Sequence, residues 1–220
     1  MEIEFENPNI VLAAGMPRSA STWLYNVARL VLMSKPDVAD SFSCGWVDNW
    51  KSTPHKKYNL VKMHDFNDEL VSQATFILYS YRDIRDSLAS CQRKFGQLPS
   101  VEHADKLIEQ HERWIDVANF VMPYKNMLYK RELVVAQLMD ALNVSNVDQS
   151  EILQSISGLG YDSEGDKNGT FNEMNLYHRN HITNGRIGSW KEQLDEKIVN
   201  EIEEKHQAWF EKYGYELTNK

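Results

Sequence analysis

Hydrophobic positions along the chain switch between two spacings. Asn9-Ile10-Val11-Leu12-Ala13-Ala14 is a short unbroken apolar run closed by Gly15, the pattern of a buried strand. From Ser21 to Met33 the spacing becomes helical, with Trp23, Leu24, Val27, Leu30 and Val31 on one face. Tyr58-Asn59-Leu60-Val61-Lys62-Met63 reads as a second strand. Thr75-Phe76-Ile77-Leu78-Tyr79-Ser80-Tyr81, rich in β-branched and aromatic residues, reads as a third. Helices are expected over 84–95 and 101–121, a short strand at Met127-Leu128-Tyr129, and a helix over Leu133–Leu142. Residues 35–57, with Pro36, Gly45, Pro54 and several serines, read as a long loop, and residues 160–188 as another. Ser189-Trp190-Lys191-Glu192 has the form of a capping box, from which a last helix should run to Lys212.

Strands alternating with helices predict βαβ units and an α/β fold, with a mainly parallel central sheet flanked by helices. One domain over residues 1–220 is expected, without internal repeats. Such sheets bind ligands at the carboxyl ends of their strands. The net charge of -8 excludes a general nucleic-acid binder but leaves room for a small anion held by a local basic cluster. Cys44 and Cys91 have no zinc-like spacing. The first six residues, Met-Glu-Ile-Glu-Phe-Glu, lack the form of a signal peptide. No apolar run reaches the roughly 20 residues needed to span a bilayer. A cytoplasmic protein without a membrane partner is expected, and the Asn-X-Ser/Thr triplets at Asn143 and Asn168 are then chance matches.

Three strand ends carry candidate chemistry. The first runs into Gly15-Met16-Pro17-Arg18-Ser19-Ala20-Ser21-Thr22-Trp23. A strand feeding a small-residue loop and then a helix leaves free N–H groups where the helix dipole favours an anion. Ser19, Ser21 and Thr22 add hydroxyls, and Arg18 adds a planar guanidinium. The GxxxxGK[ST] pattern is absent, so this is not the ATP-type P-loop; a plain serine-rich turn is the alternative. The second strand ends in Val61-Lys62-Met63-His64-Asp65. Strand alternation puts Lys62 and His64 on one face, a cation beside a group suited to general base catalysis. Taken alone, Lys62 could equally be a surface residue and His64 the cap of a turn. At the third strand end stands Arg82, with Ser90 eight residues later. Asp83 and Asp86 are placed to cap the following helix or to pair with Arg85.

Together these segments resemble the PAPS-dependent sulfotransferases (PAPS is 3′-phosphoadenosine-5′-phosphosulfate). Pro17-Arg18-Ser19-Ala20-Ser21-Thr22-Trp23 is similar to the 5′-phosphosulfate loop of that family, with Ala20 in place of a commoner Gly. The resemblance implies that these seven residues bind the donor. Lys62-Met63-His64 is similar to the family's Lys-X-His, which implies that His64 takes the acceptor's proton and Lys62 contacts the sulfuryl or bridging oxygen. Arg82 and Ser90 match the 3′-phosphate segment. His181-Ile182-Thr183-Asn184-Gly185-Arg186-Ile187-Gly188-Ser189-Trp190-Lys191 resembles the C-terminal nucleotide loop. Gly185, Gly188 and Trp190 fit its spacing, but Thr183 and Asn184 replace its basic pair; Arg186 offers a replacement charge. Tyr213-Gly214-Tyr215 is family-like, and residues 129–133 are a degraded counterpart of a Tyr-Glu-Asp-Leu segment. Trp23 either stacks on adenine or packs in the core.

The resemblance implies a P-loop NTPase-like sulfotransferase fold. It also implies in-line transfer of a sulfuryl group from PAPS to a hydroxyl or amine. His64 would act as general base, Lys62 and Arg18 as charge stabilisers, with 3′,5′-ADP as product and no metal. The acceptor is expected to be a small or conjugated molecule, lined by residues 41–50, 96–104 and 160–180. Trp46 and Trp50 there either make an aromatic wall or simply anchor the loop. Oligomeric state leaves no trace in the sequence. Two other readings share these features. One is a P-loop nucleotide kinase, which needs Mg²⁺ and a carboxylate ligand, although no acidic residue closes the third strand. The other is a non-catalytic module that binds 3′,5′-ADP without transferring sulfate.

Overall fold

The computed structural model describes residues 8–52, 55–145, 147–162 and 171–218. The acidic N-terminal stretch, the Asn168 triplet and part of the expected 160–188 loop lie outside the described residues. Strand β1 (Asn9–Gly15) leads through a tight loop into α1 (Ser21–Met33). Then come α2 (Pro36–Ala39), β2 (Phe42–Trp46), α3 (Val47–Lys51), β3 (Tyr58–Met63), α4 (Asp68–Gln73) and β4 (Phe76–Tyr81). Helices α5 (Ile84–Phe95) and α6 (Val101–Val117) precede β5 (Phe120–Pro123), α7 (Tyr124–Tyr129), α8 (Arg131–Ala141) and α9 (Gln149–Ser157). A 3-10 turn over Ser189–Glu192 and helix α10 (Glu196–Lys212) close the order.

The five strands form one sheet, β2-β3-β1-β4-β5, in which every pairing is parallel. This is the α/β architecture expected from the sequence. Parallel strands need long crossovers, and the crossovers carry the helices that cover both faces. Central β1 shows why its apolar run is unbroken. Val11 and Ala13 join Leu60 and Leu78 in a core beneath α1, α8 and α9. Ile10, Leu12 and Ala14 join Val61, Ile77 and Tyr79 on the other face, under Trp50, Leu70 and Trp114.

The structure corrects four local expectations. The loop read over 35–57 contains β2 between two short helices; β2 is an edge strand bonded only to β3, and Ser43, Cys44 and Gly45 give it no β-branched signal. The helix expected to reach residue 121 stops at Val117, because Asn119 docks on β4. Its N–H donates to the Ile77 carbonyl at 2.9 Å and its Oδ1 accepts from Ile77 N at 2.8 Å, which starts β5. Met127-Leu128-Tyr129 is the end of α7, not a strand. Ser189 caps nothing: its hydroxyl donates to Asp86 at 3.1 Å, and α10 begins later with Asp195 accepting from Lys197 N at 2.9 Å.

The carboxyl end of the sheet is closed by α5, α6 and α10 around a buried charge. Arg85 lies between the rings of Trp190 and Phe210, 4.1 and 4.5 Å from their centroids. It donates to Asp83 and to Glu203, and Glu203 in turn accepts from the N–H and hydroxyl of Thr218, both at 2.8 Å. Removing one member of a buried charge network leaves another uncompensated. Glu203→Ala is therefore expected to destabilise the fold by about 3–5 kcal/mol, read as a lower urea midpoint, with Glu203→Gln losing less.

Candidate functional site

Register builds the site. Ala14 pairs with both Met63 and Tyr79, and Gly15 pairs with Ser80, so β1, β3 and β4 end side by side. Residues just past those ends must then share one opening. The turn after β1 is forced tight: a Cβ on Gly15 would lie 2.4 Å from Ser21 Cβ and 2.5 Å from Ser80 Oγ, so only glycine fits. The chain then passes through Arg18 (φ 64°) and Ala20 (φ 63°), both left-handed, a conformation that costs a non-glycine residue about 1–2 kcal/mol. A Gly at position 20 would relax the strain. Ser19 clamps the turn, its hydroxyl 3.0 Å from the Ser80 carbonyl and 2.8 Å from Ser80 Oγ. Helix α1 begins here without a side-chain cap, and its first intrahelical bond is made by Leu24 N to the Ala20 carbonyl. The preceding N–H groups are the orphan donors of a helix start.

A cavity of about 870 Å³ opens over these strand ends. It is lined by Pro17, Arg18, Ala20, Ser21, Thr22 and Trp23 from the first loop. Lys62 lies at the end of β3 and His64 just past it, Arg82 and Ser90 follow β4, and Gly185 comes from the late turn. Three sequence candidates stand apart. Ser19 is wholly buried against β4. The guanidinium of Arg186 turns outward to an exposed ion pair with Glu192 at 2.6 Å. Gly188 (φ 76°) lies behind the cavity, its N–H on Asp86 at 2.9 Å. Trp23 both lines the cavity and packs against the core. Of the aromatic pair, Trp46 faces the cavity, whereas Trp50 is buried and bonds Asn59 Oδ1 at 3.1 Å.

The electrostatics follow from burial. Lys62 is 1% exposed; its ammonium donates to the Met63 carbonyl at 3.1 Å and lies 5.6 Å over Trp46. Burial brings its pKa down to about 7. His64 Nδ1 is 2.5 Å from the Gly15 carbonyl, which can only accept, so Nδ1 carries the proton and Nε2 keeps its lone pair. Burial, then the neighbouring Lys62, holds the imidazole pKa down at about 3, against the carbonyl bond that raises it. His64 is thus neutral and an acceptor across the ordinary pH range. Arg18 donates to Ser90 Oγ at 3.0 Å and to the His181 carbonyl at 2.6 Å, and burial lowers its pKa. Arg82 donates to the carbonyls of Arg18 and Arg186, both at 3.1 Å, and stacks 4.0 Å over Tyr124. Its Nε is buried without a partner.

Sequence reasoning overlooked several contributors. Asp83 caps α5 and pairs with Arg85, as expected, but Asp86 does something else. It pairs with Arg82 at 3.2 Å and accepts from Gly188 N, Ser189 Oγ and Trp190 N, fastening the late turn to α5 across about a hundred residues of chain. Tyr124 follows β5 and donates to the Gly185 carbonyl at 2.8 Å. Trp114 holds the chain at His64, donating to the His64 carbonyl at 3.0 Å. The ring of His181 joins the cavity wall, with Nδ1 buried and unpartnered. No local pattern announces these roles, because each depends on a partner distant in sequence. Among the described residues no group of three metal-ligating side chains occurs, and no helix is long and apolar enough to cross a membrane.

In sequence, no family model and no curated protein matches the chain. Solved structures do match it in shape. Mouse sulfotransferase SULT7A1, complexed with PAP, superposes with a TM-score of 0.65 at 15% identity, over 94% of this chain and 85% of that one. Retinol dehydratase in complex with androsterone and the inactive cofactor PAP gives 0.62 at 14% identity, over 99% and 85%. The same enzyme with retinol and PAP gives 0.58 at 14%, over 99% and 84%. The fold is therefore the sulfotransferase fold, with its mainly parallel sheet and P-loop-like first turn.

Burying Lys62 has a cost that can be measured. Its pKa is about 7 folded and 10.5 when free, so between those values the folded chain binds fewer protons than the unfolded one. Native stability therefore rises with pH across that window, and below it the full penalty of the buried charge remains. Lys62→Met should stabilise the protein at about pH 6 by on the order of a few kcal/mol, and the gain should shrink towards about pH 9. Thermal unfolding at the two pH values checks both sign and trend.

Proposed function

We propose that this chain is a PAPS-dependent sulfotransferase, moving a sulfuryl group to a hydroxyl or amine on a small or conjugated acceptor. One observation carries the reading. A neutral imidazole, fixed as its Nδ1–H tautomer, lines the same cavity as two buried cations, Lys62 and Arg82, and a half-buried one, Arg18. The sulfotransferase fold and the PAP in its solved neighbours support it.

The residues suit an anionic nucleotide donor. Arg82 Nε is a buried donor without a partner, and Arg18 and Lys62 meet carbonyl and hydroxyl oxygens in place of carboxylates. When bound, PAPS supplies a sulfuryl group already activated on a phosphate and leaves as 3′,5′-ADP. The orphan N–H groups at the start of α1, with Ser21 and Thr22, would hold its 5′ end. Arg82 and Ser90 would hold the 3′-phosphate, the guanidinium in a charge-assisted contact, and Trp23 would lie against the base. On the acceptor side, His64 Nε2 is the free lone pair that takes the hydroxyl proton. Lys62 and Arg18 supply positive charge where negative charge grows on the oxygen being released.

Two measurements test this. His64→Ala should reduce sulfate transfer from PAPS by at least about a hundredfold, the scale of general base catalysis. Binding of 3′,5′-ADP should stay nearly intact; a variant with wild-type turnover would remove His64 as the base. The pH dependence of kcat/KM, taken with a non-ionising alcohol acceptor, reports groups of the free protein. It should stay flat well below the usual histidine range, since His64 titrates at about 3, and fall on the alkaline side as Lys62, at about 7, loses its proton. An acid limb near ~6.5 would contradict the neutral imidazole. A preference for ATP with Mg²⁺ over PAPS would favour a kinase.

A further inference from the structure

We propose that Arg93 supplies a second guanidinium to the 3′-phosphate subsite, completing with Arg82 a clamp for a phosphomonoester dianion. The proposal rests on the nucleotide reading above and goes beyond it, because Arg93 belongs to none of the segments from which that reading was built.

Arg82, Asp86, Ser90 and Arg93 succeed one another at helical spacings of four, four and three along a single stripe of α5 and its approach. Arg93 is half-buried, and its fork spans the late turn. Nε donates to Thr183 Oγ1 at 3.3 Å, and Nη2 to Asn184 Oδ1 at 3.2 Å and Ser189 Oγ at 3.4 Å. Nη1 donates to Gln193 Oε1. Every one of these acceptors is neutral. Three arginines around it differ, Arg82 pairing with Asp86, Arg85 with Asp83 and Glu203, and Arg186 with Glu192, whereas Arg18 likewise meets only neutral oxygens. Among the described residues Arg93 has no ion pair, in a chain with 32 acidic against 24 basic side chains. Burial lowers its pKa, and the like charges of Arg82 and Arg186 add to the effect, against the pull of Asp86.

Charge counting gives the position its meaning. Arg82 and Asp86 together are neutral, whereas a phosphomonoester carries about -1.5 to -2 charges at neutral pH. A subsite with Arg82 alone leaves that ligand undercompensated; Arg93 adds one positive charge towards the balance. Thr183 and Ser90 line the cavity; Arg93 stands behind them, its guanidinium bonded to Thr183 and close enough to Arg82 to feel its charge. Its bonds to the turn, mostly 3.2–3.4 Å, are long enough to yield to a charged oxygen. The guanidinium also sits on Thr183 and Asn184, so the basic side chain that this turn lacks is delivered from α5.

Isothermal titration of 3′,5′-ADP and 5′-AMP separates this role from others, since the two ligands differ only at the 3′-phosphate. Arg93→Ala should weaken 3′,5′-ADP by about tenfold or more and leave 5′-AMP within about twofold. Arg93→Lys should keep most of the difference between the ligands, because it keeps the charge while losing the fork. Adding Asn184→Lys to Arg93→Ala should restore it by returning a cation to the turn. Equal losses on both nucleotides, no loss on 3′,5′-ADP, or failure of both lysine variants would each overturn the proposal and leave Arg93 a brace for the turn. A wild-type protein that binds neither nucleotide would overturn the functional reading itself, and this proposal with it. Melting temperatures of all variants control for folding.

Discussion

Buried positive charge at three level strand ends is the constraint around which the site is built. Taking an ion out of water costs several kcal/mol after relaxation. Here the compensation comes mostly from carbonyl oxygens: Met63 for Lys62, His181 for Arg18, and both Arg18 and Arg186 for Arg82. Strand ends have such oxygens to offer because their ladders stop there. The parallel register that puts Ala14 level with Met63 and Tyr79 brings the cations together and supplies the Met63 carbonyl, while the first loop and the late turn supply those of Arg18, His181 and Arg186. Carbonyls orient a cation without cancelling its charge. What remains is a positive field inside an acidic protein, which favours a small anion and repels none.

Asp86 shows how narrowly that field is tuned. It is 1% exposed, and its two oxygens serve Arg82, Gly188 N, Ser189 Oγ and Trp190 N together. One carboxylate thus fixes the orientation of a cavity arginine and the position of a turn about a hundred residues away. The turn repays this by presenting the Arg186 carbonyl to Arg82 and the Gly185 carbonyl to Tyr124. Next to it, Arg85 with Asp83 and Glu203 ties α5 to α10, so the wall behind the cavity is anchored in a buried charge network.

Much of this was legible in the sequence, for a physical reason. Strands β1, β3 and β4 are central, buried on both faces, and so spelled in largely apolar runs; the residues at and just past their ends are local in the chain, which is why Arg18, Lys62, His64 and Arg82 could be named. The edges were not legible. Strand β2 is held by a single neighbour, and β5 exists because Asn119 finds the backbone of β4. Ser189-Trp190-Lys191-Glu192 has the residues of a capping box, but a buried carboxylate outcompetes a helix N–H for the Ser189 hydroxyl. Arg186 offers a replacement charge in the sequence, and in the structure its guanidinium lies outside the cavity in an exposed pair with Glu192, six residues on. Ser19 was read as a ligand donor, yet a hydroxyl in so tight a turn can face the sheet as easily as the cavity, and Ser80 decides which. Asp86 was read as a local cap because its true partners lie far along the chain.

The same burial that creates the field also orders the protonation states of Lys62 and His64. A proton acceptor must be neutral and its neighbour charged at one pH, and bare histidine and lysine already satisfy this across a wide range. Burial shifts both downward, His64 to about 3 and Lys62 to about 7, so the useful range moves with them and its upper edge falls at neutrality. An anion in the cavity acts in the opposite direction: it favours the charged form of Lys62 and raises its pKa. His64 has far to climb before it is protonated, because burial, then the neighbouring Lys62 and Arg18, hold its pKa down against the Gly15 bond that raises it. Under the proposed function, binding an anionic donor would therefore secure the ammonium of Lys62 and leave His64 neutral.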